Sequence, residues 1–134
     1  MTKLSPRITT SLDFGIFPGW CSFSCGLTYG ELVKTLKSDG WADAIKYDRK
    51  LIEESEWLAC SREHGGRTYY YIILRDRFDF SDFSYCKLAH EILHIVAFHL
   101  PNILDRNREF EAEAYLHTHL MKQCLSALRS KSRK

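Results

Sequence analysis

Residues 56–75 read EWLACSREHGGRTYYYIILR. Two β-prone runs, 56–63 and 68–75, flank His64-Gly65-Gly66-Arg67. A Gly-Gly pair supplies the positive φ angles of a tight two-residue turn, so the stretch predicts a β-hairpin. A lone hairpin is marginal in water and must pack on other elements. Working outward, Trp20–Cys25 alternates large apolar with small polar residues and reads as a short strand, while the polar residues 1–12 read as loosely held. Thr28 with Glu31 three positions on is a capping-box pattern, which predicts a helix over about 29–38, stopped at Asp39-Gly40. A second helix is expected over about 41–54. On the other side, Asp79-Phe80-Ser81-Asp82 offers N-caps for a helix running to about His99, before Pro101. Asp105 or Asn107 then caps a last helix reaching about Arg129. The expectation is an α+β fold with no repeat and no linker, one domain over 1–134 with a helical part at about 28–55 and a core at about 56–129.

The chain of 134 residues is 45% hydrophobic and 27% charged, which suits one domain with a real core. A net charge of +2 is too small to argue for nucleic acid. The cations Lys122, Arg129, Lys131, Arg133 and Lys134 read as the end of a helix and a solvated tail. The opening residues lack an apolar targeting segment, and no run is long enough to span a bilayer. With that, the five scattered cysteines read as reduced thiols of a cytoplasmic protein, small residues for the interior.

The downstream helices carry LAHEILHIVAFHLPNILDRNREFEAEAYL, residues 88–116. Residues four apart lie about 40° apart around a helix, so His90 and His94 can aim two imidazoles at one metal ion. Glu91 sits at the edge of that face, placed for a water on the metal rather than for the metal itself. Zinc wants neutral imidazoles and lowers the pKa of its water to about 7, where a carboxylate can take the proton. Leu88, Ala89, Ile92, Leu93, Ile95, Val96, Ala97, Phe98 and Leu100 make the helix apolar nearly all round, which predicts a central, buried helix. Buried histidines need partners, and a metal is one.

A third histidine in the His-Glu-x-x-His-x-x-Gly-x-x-His register is excluded, because Ala97 and Leu100 occupy those positions and His99 is out of step. An acidic residue on the last helix remains. Glu109 and Glu113 share a face there, whereas Glu111 points roughly 160° away toward solvent. Leu116, Leu120, Cys124 and Leu128 extend that face, which therefore looks inward. Here the chain resembles the gluzincins, with Glu109-Phe110-Glu111-Ala112-Glu113 similar to the Glu-x-x-Ala-Asp of HtpX and CAAX-prenyl-protease types and the Glu-x-x-Ala-Asn of ImmA/IrrE types. The likeness covers about residues 85–121, with Glu in the last position in place of Asp or Asn. It implies Zn²⁺ held by His90, His94 and Glu109, with Glu113 orienting a ligand histidine. Since Glu is a methylene longer than Asp, Glu109 and Glu113 could exchange roles, and Glu109 is preferred.

Cys86 lies one turn before His90 and reads as a core residue ahead of a ligand. His117 and His119 could donate to an oxyanion, against the plainer reading of packing or surface histidines. The resemblance also implies that the Tyr69-Tyr70-Tyr71 strand is the edge that docks an extended peptide, though aromatic packing explains it as well. The expected architecture is a small zincin-like domain: a hairpin-based sheet packed on the His-Glu-x-x-His helix and a glutamate helix. The expected function is zinc-dependent hydrolysis of peptide bonds in a protein or peptide substrate, with Glu91 as general base. The alternative is a zinc-stabilised regulatory or binding module with little turnover. Neither a membrane nor a nucleic-acid partner is expected.

Overall fold

A computed structural model describes residues 6–36, 40–76, 78–100 and 110–132, with the side chains of the last helix from 112 to 130. Four strands, β1 (Ile8–Asp13), β2 (Trp20–Cys25), β3 (Trp57–His64) and β4 (Arg67–Leu74), form one sheet in the order β1-β2-β4-β3. The helices are α1 (Tyr29–Thr35), α2 (Trp41–Lys46), α3 (Arg49–Glu54), α4 (Asp82–His99) and α5 (Phe110–Ser132). The predicted hairpin is β3–β4, closed by Gly65 and Gly66 at φ 58° and 78°, with His64 opposite Arg67. Both glycines need the left-handed region that a primed turn imposes.

Alternation along β4 divides the core. Tyr70, Ile72 and Leu74 face one side with Phe23, Leu88, Ile92, Leu116 and Leu120. Tyr71 and Ile73 face the other with Leu32, Ile45 and Ile52. The sheet is therefore covered on both faces, by α4 and α5 on one and α1–α3 on the other. The strand β2 is likewise buried on both sides, since Cys21, Phe23 and Cys25 are inaccessible and Ser22 and Ser24 are buried. It runs parallel to β4 and antiparallel to β1.

Three sequence expectations need correction. Residues 8–13 are a strand, because Ile8 and Leu12 bury four apart on the alternating face while Thr9, Thr10 and Ser11 fill the rest of the ladder to β2. The single helix over 41–54 breaks at Tyr47 and Asp48. There the Asp48 carboxylate turns to the sheet instead of capping α3, accepting from Arg62 Nε at 3.1 Å, from Arg62 Nη2 and from Tyr71. The tyrosine strand β4 is interior, paired to β2 and β3, and cannot serve as a docking edge; β3 and β1 are the outer strands.

Other local readings agree. Thr28 Oγ1 accepts from Glu31 N at 3.2 Å and Glu31 Oε1 accepts from Thr28 N at 3.1 Å, a complete capping box. Ser81 caps α4 by accepting from Ser84 N. No helix among the described residues is long and apolar enough to cross a membrane.

Candidate metal centre

The α4 helix buries Ser84, Leu88, Ile92, Ile95, Val96 and His99, a stripe at helical spacing. His90 follows Leu88, and His94 follows Ile92, by two residues, or about 200° around the axis. Both histidines therefore lie opposite the buried stripe and are exposed. This corrects the expectation of a helix buried on all sides. The sheet and α5 cover only part of it, leaving Leu93 at 52% and Phe98 at 39% exposure beside the two imidazoles. The pair is thus reachable from solvent.

His90 Nε2 and His94 Nε2 stand 3.1 Å apart, within hydrogen-bond distance, with the rings nearly perpendicular. A ligand oxygen of half-buried Glu91 joins them in a group whose atoms all lie within 4.8 Å of one another. The next turn contributes Phe98, stacked on the His94 ring at 6.1 Å. A groove of about 390 Å³ runs from His90 and Glu91 across Lys87 to Ser55, Glu56 and Trp57, where β3 begins. Sequence reasoning found the three clustered residues but not the groove wall.

The remaining site residues are distributed differently. Glu109 lies outside the described residues, and so does the Glu111 side chain. Glu113 is half-buried, at the end of the stripe of buried Leu116, Leu120, Cys124 and Leu128. Its carboxylate is not part of the group formed by His90, Glu91 and His94 among the described residues. His117 Nε2 donates to the Ala89 carbonyl at 2.9 Å, which ties α5 to α4 directly beside His90.

His119 does not belong to this site. Two residues from His117, it points to the far side of α5 and donates to Asp13 Oδ1 at 2.7 Å, at the end of β1. That bond, with one from Gly15 N–H, holds the Asp13 carboxyl below its ordinary range. Gln123, one turn on, exchanges two hydrogen bonds with the Asp13 backbone, and Tyr115, one turn back, stacks on His119 at 5.8 Å. His119 is therefore a fastener between α5 and β1, at the opposite end of the sheet from the groove. Cys86 is exposed rather than buried, although Cys21, Cys25 and Cys124 are inaccessible as expected. Its thiol is not part of the His90–Glu91–His94 group.

Two imidazole nitrogens bound to a tetrahedral zinc stand about 3.3 Å apart, so the 3.1 Å pair fits such an ion with a shift of a few tenths of an ångström. Two imidazole nitrogens also suit zinc ahead of magnesium or calcium, which prefer all-oxygen shells. Compared with family models, with curated proteins and with solved structures, the chain has no match.

Proposed function

We propose that the chain is a zincin-like domain acting as a zinc-dependent metallopeptidase, similar at its site to the gluzincins. The observation that supports this most is the close approach of His90 Nε2 and His94 Nε2, with Glu91 beside them, next to an open groove that His90 and Glu91 line. His90 and His94 would hold Zn²⁺, with Glu109 as the third protein ligand and Glu113 orienting a ligand histidine. When bound, zinc supplies Lewis-acid polarisation of a carbonyl and a lower pKa for water at the site. Glu91 takes the proton of the attacking water and passes it to the leaving amine. The groove meets β3 at Trp57, so β3, the outer strand of the sheet among the described residues, takes the place of β4 as the strand that would pair with an extended peptide. The cytoplasm is the compartment this reading assigns, where the exposed Cys86 thiol stays reduced.

Elemental analysis of the purified chain tests the metal. One zinc per chain is expected, lost in His90→Ala, His94→Ala and Glu109→Ala and less so in Glu113→Ala. Glu91→Gln should keep the zinc while slowing peptide hydrolysis about 10²–10⁴-fold. Hydrolysis at the wild-type rate by Glu91→Gln would sink the mechanism. Zinc without hydrolysis in the wild-type chain would instead favour a zinc-stabilised binding module.

A further inference from the structure

Among the described residues, Lys87 is the lysine or arginine lining the groove that also holds His90 and Glu91. Its ammonium lies 4.5 Å from the centre of the Trp57 ring and 5.5 Å from that of Phe83. An aromatic face under an ammonium removes part of its water without neutralising its charge. The side chain is 30% exposed, so the charge is held in place and still faces the groove. The carboxylate nearest to it among the described residues, Glu56, stands 3.9 Å away on a side chain that is 74% exposed. That separation is too long for a hydrogen bond, and so exposed a pair contributes little. Glu56 can swing into solvent and leave the ammonium to another acceptor.

We propose that Lys87 is a carboxylate-binding position in the groove, serving an acidic side chain or the C-terminal carboxylate of a bound peptide. Glu56 and Glu91 also line the groove and oppose any anion, a phosphate dianion about twice as strongly as a single carboxylate charge, so the carboxylate is the better fit to one ammonium. Lys87 precedes His90 by three residues and Glu91 by four, so its Cβ lies about one helical turn, roughly 5–6 Å, from theirs. A carboxylate bound there belongs to a residue close to the bond that Glu91 would attend. The link to hydrolysis rests on the metallopeptidase reading; the binding itself does not.

The test uses the full chain carrying Glu91→Gln, with and without Zn²⁺, and blocked eight-residue peptide pools with Asp or Asn fixed at each position in turn. A parallel set carries a free C-terminal carboxylate in place of the amide. Binding is followed by amide chemical shifts at residues 55–57 and 87. The Asp or free-acid pools should bind about tenfold more tightly than their neutral partners, one charge-assisted hydrogen bond's worth of discrimination. The winning set identifies the source of the carboxylate. Lys87→Met, which keeps the stem on Trp57, should erase the preference, and Lys87→Glu should reverse it. Equal binding of charged and neutral pools, binding of none, or a preference that survives Lys87→Glu each overturns the proposal. Cleavage by the wild-type chain with no charge preference would overturn it and leave the metallopeptidase standing. Charge-selective binding without zinc or cleavage would do the reverse.

Discussion

The His99 ring lies between Phe14, stacked at 4.2 Å, and Tyr70, whose hydroxyl is 3.1 Å from Nδ1, and is only 6% exposed. Burial holds its pKa below the ordinary histidine value of 6.5, with the Pro18 carbonyl opposing the shift. Because the folded value is depressed, the unfolded chain binds the proton more readily. The stability linked to His99 is therefore present above about pH 6.5 and is lost as the pH falls below it. Urea midpoints should decline between pH 7.5 and 5.5, and more steeply in the wild-type chain than in His99→Phe. Equal slopes would remove His99 from the account. His99 was legible only as a histidine out of metal register. Its burial follows from a phase on α4 that the sequence alone left ambiguous.

At the scale of elements, the junction of α2 and α3 depends on Asp48, which is buried although charged. Burial works to raise its pKa, but the bonds from Arg62 and Tyr71 prevail and hold the carboxyl below its usual range. Asp48→Ala would leave Arg62 and the buried Tyr71 hydroxyl without that acceptor. A loss of about 2–3 kcal/mol is expected, below the figure for a fully buried pair because Arg62 remains 40% exposed. Denaturant unfolding measures it, and a loss under about 0.5 kcal/mol would mean that the network is not what joins these helices to the sheet. By contrast, Thr28→Ala removes one half of a surface capping box and should cost about 1 kcal/mol. The capping box was plain in the sequence because its partners are three residues apart. The Asp48 network was not, because Arg62 and Tyr71 reach Asp48 across 14 and 23 residues.

Over the whole molecule, both helical layers bury their apolar faces against the same strand, β4. Neither layer keeps its core once β4 leaves, so the chain should unfold as one unit. Trp41 reports on one layer through Tyr69, at 4.9 Å, and Trp57 on the other through Phe78, at 6.0 Å. In variants retaining one or the other tryptophan, the two urea transitions should coincide. Separate midpoints would show that the layers are independent. Ile92→Ala, in the layer of α4 and α5, should lower both transitions together, by about 2–5 kcal/mol.

What the sequence by itself determined is local: the Gly-Gly hairpin, the capped start of α1, the extent of α4, and two histidines with a glutamate on one segment of helix. Each rests on residues within a few positions of one another, where chain geometry leaves few choices. Only the tertiary structure decided which side of α4 meets the sheet, since apolar residues surround its axis and any face could have been buried. It decided too that β4 is interior, that residues 8–13 are a strand, and that His117 turns to α4 while His119 turns to Asp13. Those outcomes depend on contacts between segments far apart in the chain, which no local pattern encodes.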